Sequence, residues 1–140
     1  MSIGVAETDA EIRSCYPVMR QLRPDYDVDG FLSRVRLQQR EGYRLVMLTV
    51  GETVVAVAGF RLGENLAWGR YIYVDDLVTD TTARSAGHGG QLLEWLRDQA
   101  VESGCDQLHL DSGVQRYAAH RFYLRFGMDI TSHHFQLSLR

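Results

Sequence analysis

The chain has 140 residues, 45% of them hydrophobic and 24% charged, the balance of one soluble globular domain whose core needs no disulfide or structural metal. A formal net charge of -3 offers no concentrated basic face, which excludes nucleic acid and anionic membrane as expected partners and favours small-molecule chemistry. All 15 basic residues are arginine, so the phosphate-binding lysine of a P-loop, the strand lysine of a kinase and the Schiff-base lysine of a pyridoxal enzyme are excluded as well.

Met1, Ser2, Ile3 and Gly4 lack the basic and apolar regions of a signal peptide, and no stretch approaches membrane-spanning length, so the expected compartment is the cytoplasm. Residues 2–6 read as a short strand. Thr8 and Glu11 then have the spacing of a capping box, and Cys15, Val18, Met19 and Leu22 recur at helical spacing until Pro24. A second helix runs through Phe31, Leu32 and Val35 towards Gly42. Residues 45–50 and 53–60 are rich in branched side chains around the turn Gly51-Glu52, which predicts a hairpin; a turn at 63–65 and a long strand over 67–79 extend it to an antiparallel meander. Leu92, Leu93, Leu96 and Ala100 share one helical face that Gly104 closes. A buried strand at 108–111, a helix at 115–126 stopped by Gly127 and a final strand at 135–139 complete the chain.

Between strand and helix lies Arg84-Ser85-Ala86-Gly87-His88-Gly89-Gly90. Glycines let backbone approach a phosphate closely, unpaired N–H groups and the helix dipole favour negative charge, and Arg84 adds a fixed positive fork. A dinucleotide fingerprint would need a glycine three places after Gly89, where Leu92 stands. For an isolated glycine cluster, a mere tight turn would be the better reading.

The pattern Arg84-x-x-Gly87-x-Gly89 followed by Leu92-Leu93 resembles the coenzyme A pyrophosphate loop of the GNAT acetyltransferases, and the order of elements along the whole chain follows that family. Residues 119–128, with Tyr123 at their centre, resemble its late helix. Together with Asp111-Ser112-Gly113 and the tail Ser132-His133-His134-Phe135 they look most like its aminoalkylphosphonate acetyltransferases. The resemblance implies an α/β (α+β) GNAT fold over 1–140: a mostly antiparallel mixed sheet of six to seven strands, splayed at the cofactor site and flanked by about four helices. It implies an acetyl-CoA-dependent N-acetyltransferase that acts on a small-molecule amine by direct attack in a ternary complex. A homodimer formed through the final strand accords with family habit.

Residue roles follow from the same resemblance. The backbone of Leu77, Val78 and Thr79 pairs with pantetheine, residues Arg84, Ser85, Ala86, Gly87, His88, Gly89 and Gly90 grip the diphosphate, and Ser112, Ala119 and Tyr123 face the cofactor. An alkylamine with a pKa near ~10.4 is almost wholly protonated at neutral pH, so a general base is expected. Asp75 and Asp76 are the candidates, with a role as ordinary polar residues at a strand irregularity equally open. Consecutive strand side chains point to opposite faces, so one of the two is expected to serve. Tyr73 stands near where some relatives carry a catalytic glutamate. Tyr123 is expected to stabilise or protonate the departing thiolate, against the alternative of a core tyrosine. His120, His134, Arg116 and Arg121 are candidates to line a pocket for an acidic amine. The adjacent His133 and His134 make a poor chelate, and no metal is expected. A non-catalytic acyl-CoA-binding regulatory module and a protein N-acetyltransferase are the competing functions.

Overall fold

The computed structural model describes residues 1–140, the side chain of Ser85 excepted. They form two compact units, Met1–His109 and Leu110–Arg140. The first holds β1 (Ser2–Val5), α1 (Asp9–Met19), α2 (Val28–Gln39), β2 (Tyr43–Val50), β3 (Thr53–Asn65), β4 (Gly69–Thr79), a 3₁₀ turn (Thr81–Ala86) and α3 (His88–Glu102). β5 (Gln107–Leu110) reaches the boundary. The strands order as β1-β2-β3-β4-β5, antiparallel from β1 to β4. Asp106 N–H donates to Arg70 O at 2.7 Å beside the start of β4.

Helix α1 starts where the sequence predicts. The Glu11 N–H donates to Thr8 Oγ1 at 3.1 Å while Thr8 N–H donates to Glu11 Oε1 at 2.9 Å, so two otherwise unpaired donors are satisfied reciprocally. Ile12, Cys15, Val18 and Met19 turn inward from α1. They join Phe31 and Val35 of α2 and Leu45, Val57 and Val78 of the sheet in one core cluster. Each large apolar side chain buried there contributes about 1.5–3 kcal/mol. Burial pushes the Cys15 thiol up to about 12, which leaves it an inert packing group. Leu92, Leu93 and Leu96 are the buried stripe of α3, which packs on β3 and β4 with Trp95 edge-on to Phe60, ring centres 5.9 Å apart.

The β3–β4 turn falls later than the expected residues 63–65. β3 continues to Asn65, whose Oδ1 accepts the Trp68 N–H at 2.6 Å, and Gly69 takes φ +72° to reverse the chain. Further along the same pair, Gly59 lies opposite Asp76 and Phe60 opposite Val74, leaving Asp75 without a partner on β3. This is a β-bulge, and it resets which face the following side chains point to.

In the second unit, α4 (Tyr117–Phe126) ends at Gly127, φ +107°, where Met128 N–H donates to Tyr123 O at 3.1 Å. The final strand expected at 135–139 is not formed: residues 128–140 carry no regular structure. A strand exists only through a ladder with neighbouring backbone, and among the described residues none pairs with this segment. The sheet therefore has five strands where six to seven were expected.

Candidate active site

The bulge at Asp75 corrects the expectation that Asp75 and Asp76 face opposite ways, because both line one cavity of about 310 Å³. Asp76 accepts from Arg23 Nε at 2.8 Å and from the Tyr43 hydroxyl at 2.8 Å. Asp75 Oδ2 accepts from Arg61 Nε at 2.9 Å, and Arg61 Nη2 donates on to Gln38 Oε1 at 3.1 Å. Arg23 spans the pair, since its Nη2 also donates to the Asp75 carbonyl oxygen at 3.0 Å. The other carboxylate oxygen of Asp75, Oδ1, is buried and has no hydrogen-bond partner.

Electrostatics distinguishes the residues of this cluster. Burial raises the Asp75 carboxyl above the ordinary aspartate value, and this outweighs the hydrogen bond and the charge of Arg61. Burial and the adjacent carboxylate of Asp76 hold the Tyr43 phenol well above its usual range, so Tyr43 stays a proton donor. Tyr43 reaches Asp76 by lying over Gly59, where a Cβ would fall on the tyrosine ring and hydroxyl. Tyr73 lines the same cavity.

Beyond Asp76, the segment Leu77–Thr79 pairs along one edge with Ala56, Val57 and Ala58 of β3, so only its other edge can take a further extended chain. Asp80 then turns the backbone: its carboxylate accepts from Thr82 N–H at 3.1 Å and its carbonyl from Ala83 N–H at 2.9 Å. The Thr82 N–H, followed by Gln21, holds the Asp80 carboxyl below the usual range. Gln21 also receives Thr81 N–H at 3.0 Å, tying the end of α1 to this turn.

The expected loop over 84–90 is divided between two elements. Arg84 and Ala86 belong to the 3₁₀ turn, Gly87 adopts the left-handed conformation at φ +78°, and His88, Gly89 and Gly90 form the first turn of α3. No side chain caps that helix, and its first turn contains no acid. Uncapped N–H groups at the positive end of a helix dipole, with Arg84 on the preceding turn, suit a diphosphate. Arg84 Nε lies 3.5 Å from the Thr79 carbonyl oxygen. The side chain of Ser85 lies outside the described residues.

The remaining candidates belong to the second unit. Ser112 Oγ is buried without a hydrogen-bond partner. His120 Nε2 lies 2.7 Å from the Gly113 carbonyl oxygen, and His134 Nδ1 lies 3.6 Å from Asp111 Oδ1. Tyr123 packs beside Phe122, ring centres 5.2 Å apart, on the helix that carries Ala119. Burial raises its phenol, opposed by the charge of Arg116. Sequence reasoning missed Gln21, Arg23, Arg34, Tyr43, Gly59 and Arg61. Their only local signal is composition, since each meets the site through long-range pairing.

Among the described residues no helix is long and apolar enough to cross a membrane. Residues 6–128 match the model of the acetyltransferase (GNAT) family. The chain is 35% identical over 123 residues to the uncharacterized N-acetyltransferase YhdJ of Bacillus subtilis, covering 86% of this chain and 87% of that protein. It is 33% identical over 100 residues to the aminoalkylphosphonate N-acetyltransferase of Salmonella typhimurium, covering 71% and 63%. The fold is similar to that of the aminoglycoside N-acetyltransferase AAC(6')-Iy solved in complex with CoA, with a TM-score of 0.85, 12% identity, and coverage of 99% and 95%. With the family pattern running through both β4 and α4, the chain belongs to the GNAT acetyltransferases, enzymes that draw their acyl group from acetyl-CoA.

Proposed function

We propose that the enzyme acetylates the primary amine of a small molecule by direct attack in a ternary complex, with Asp75 as the general base. The observation that carries this reading is that Asp75 lines the cavity with a carboxylate that is only half satisfied, its buried Oδ1 having no hydrogen-bond partner. A carboxylate whose pKa burial raises above the ordinary aspartate value is a stronger base towards an ammonium group than an exposed one. Asp76, saturated by Arg23 and Tyr43, holds the cluster in place.

Acetyl-CoA, when bound, supplies an activated thioester. The outer edge of Leu77–Thr79 would align its pantetheine arm, and Arg84 with the amides of Gly87, His88, Gly89 and Gly90 would hold its diphosphate. Tyr123 would keep a proton at Oη for the departing sulfur, and Ser112 would offer its unpartnered hydroxyl to the cofactor. A single GNAT domain over 1–140 belongs to the same reading, supported by the family match over residues 6–128.

A cavity of about 310 Å³ is of small-molecule size, and the relatives named above for their substrates act on small amines. Free thiols at Cys15 and Cys105 suit a reducing cytoplasm. Homodimer formation belongs to the same reading, and sedimentation tests it. Thiol release from acetyl-CoA with a panel of primary amines tests the activity: tight acetyl-CoA binding with no release for any amine would identify a regulatory binding module instead.

A further inference from the structure

We infer that Arg34 reads an anionic group on the acceptor, so that the substrates are amines carrying a carboxylate, phosphate or phosphonate; the inference rests on the acetyl transfer proposed for this same cavity. Phe31, Arg34, Val35 and Gln38 of α2 line it, positions three and four apart that share one helix face. An arginine thus occupies the middle of a face that otherwise closes the cavity with apolar and amide groups.

Two arginines and two aspartates line the cavity, and Arg61 adds a third guanidinium from behind Asp75. Arg23 is paired with Asp76 at 2.8 Å and Arg61 with Asp75 at 2.9 Å, which matches each carboxylate with one guanidinium. Among the described residues Arg34 makes no ion pair, and it leaves the site with one uncompensated positive charge. A guanidinium in that state presents a fork of donors shaped for a carboxylate or phosphate. At the other pole the Asp75 carboxylate, which lines the cavity and has one oxygen unpartnered, accepts from an ammonium. A bare alkylamine satisfies only the second pole, whereas an amine with an anionic group satisfies both.

The test is calorimetric titration of the CoA-saturated protein with β-alanine, 2-aminoethylphosphonate and n-propylamine, so that binding is read without turnover. The expected result is that at least one of the two anionic amines binds roughly tenfold or more tightly than n-propylamine, the scale of one charge-assisted pair. Tighter binding of only one of them tells carboxylate from phosphonate. Arg34→Gln removes the advantage, Arg34→Lys restores part of it, and Arg40→Gln, at the C-terminal cap of the same helix and outside the cavity, leaves it unchanged. Equal affinity for all three amines, or an undiminished advantage in Arg34→Gln with an unaltered melting profile, overturns the assignment. Thiol release measured on the same samples reports separately on acetyl transfer: selective binding without release sinks the catalytic reading while the Arg34 assignment stands.

Discussion

The Tyr43 hydroxyl crosses over Gly59 to donate to Asp76 Oδ2 at 2.8 Å. Gly59 is also the residue paired with Asp76 across the β3–β4 ladder, so one missing side chain makes room for a contact between two strands that are not neighbours. Arg61 stacks on the same tyrosine, its guanidinium carbon 5.5 Å from the ring centre, and so links the Asp76 half of the cluster to the Asp75 half.

Gly59→Ala is therefore expected to damage the site from behind. A Cβ at residue 59 collides with the rigid Tyr43 ring, and relieving such overpacking costs about 1–3 kcal/mol. Tyr43→Phe keeps the packing and removes only one hydrogen bond to a charged acceptor, about 1.5–3 kcal/mol. Denaturant unfolding of both variants checks the stabilities. The alanine variant should also lose turnover because Asp76 and Arg23 shift with the ring; a Gly59→Ala enzyme with the parent's stability and turnover would refute the account.

Asp75→Asn is the direct test of the base. Removal of a positioned general base costs on the order of 10²- to 10⁴-fold in turnover. The base works deprotonated, so kcat/KM should rise with pH through the Asp75 pKa, and because burial raises that pKa the acid limb should sit above the ordinary aspartate range. Rate–pH profiles of parent and Asp75→Asn decide it: the limb should vanish in the variant, and its persistence would reassign the proton to another group.

What was readable in the sequence was local. The capping box at Thr8 and Glu11 and the stop at Gly127 depend on residues within one turn of each other, and both stand as expected. The sequence places Gly89 and Gly90 in a loop that lets backbone approach a phosphate, yet in a first turn, where the N–H groups have no intrahelical acceptor in any case, they open α3. The common orientation of Asp75 and Asp76 was not readable, since it follows from a register shift between β3 and β4 that neither strand encodes alone. Arg23 and Arg61 were invisible for the same reason: nothing near either residue in sequence marks a carboxylate partner. Alternating residues at 135–139 carried a strand pattern, but a pattern does not supply a pairing partner.

Gly89→Val should act on cofactor binding. Its side chain would cover the amides of the first turn of α3 and add β-branched strain to a short approach meant for a diphosphate. Calorimetry with coenzyme A should show affinity lost by at least about 100-fold, the scale of two charge-assisted hydrogen bonds, while circular dichroism shows the helices retained. Unimpaired binding would move the diphosphate site away from this turn.

Tyr123→Phe separates binding from chemistry. Burial keeps the phenol protonated, with Arg116 opposing that shift, so at neutral pH the group is a donor ready for a departing thiolate. Removing the hydroxyl deletes one donor from the transition state and almost no apolar area from the helix, which predicts a fall in kcat of about 10²- to 10³-fold with coenzyme A affinity nearly intact. A core tyrosine would give the opposite pattern, a lower melting midpoint with kcat little changed. Steady-state kinetics beside thermal unfolding distinguishes the two, and parent-like turnover in Tyr123→Phe would remove the residue from the mechanism.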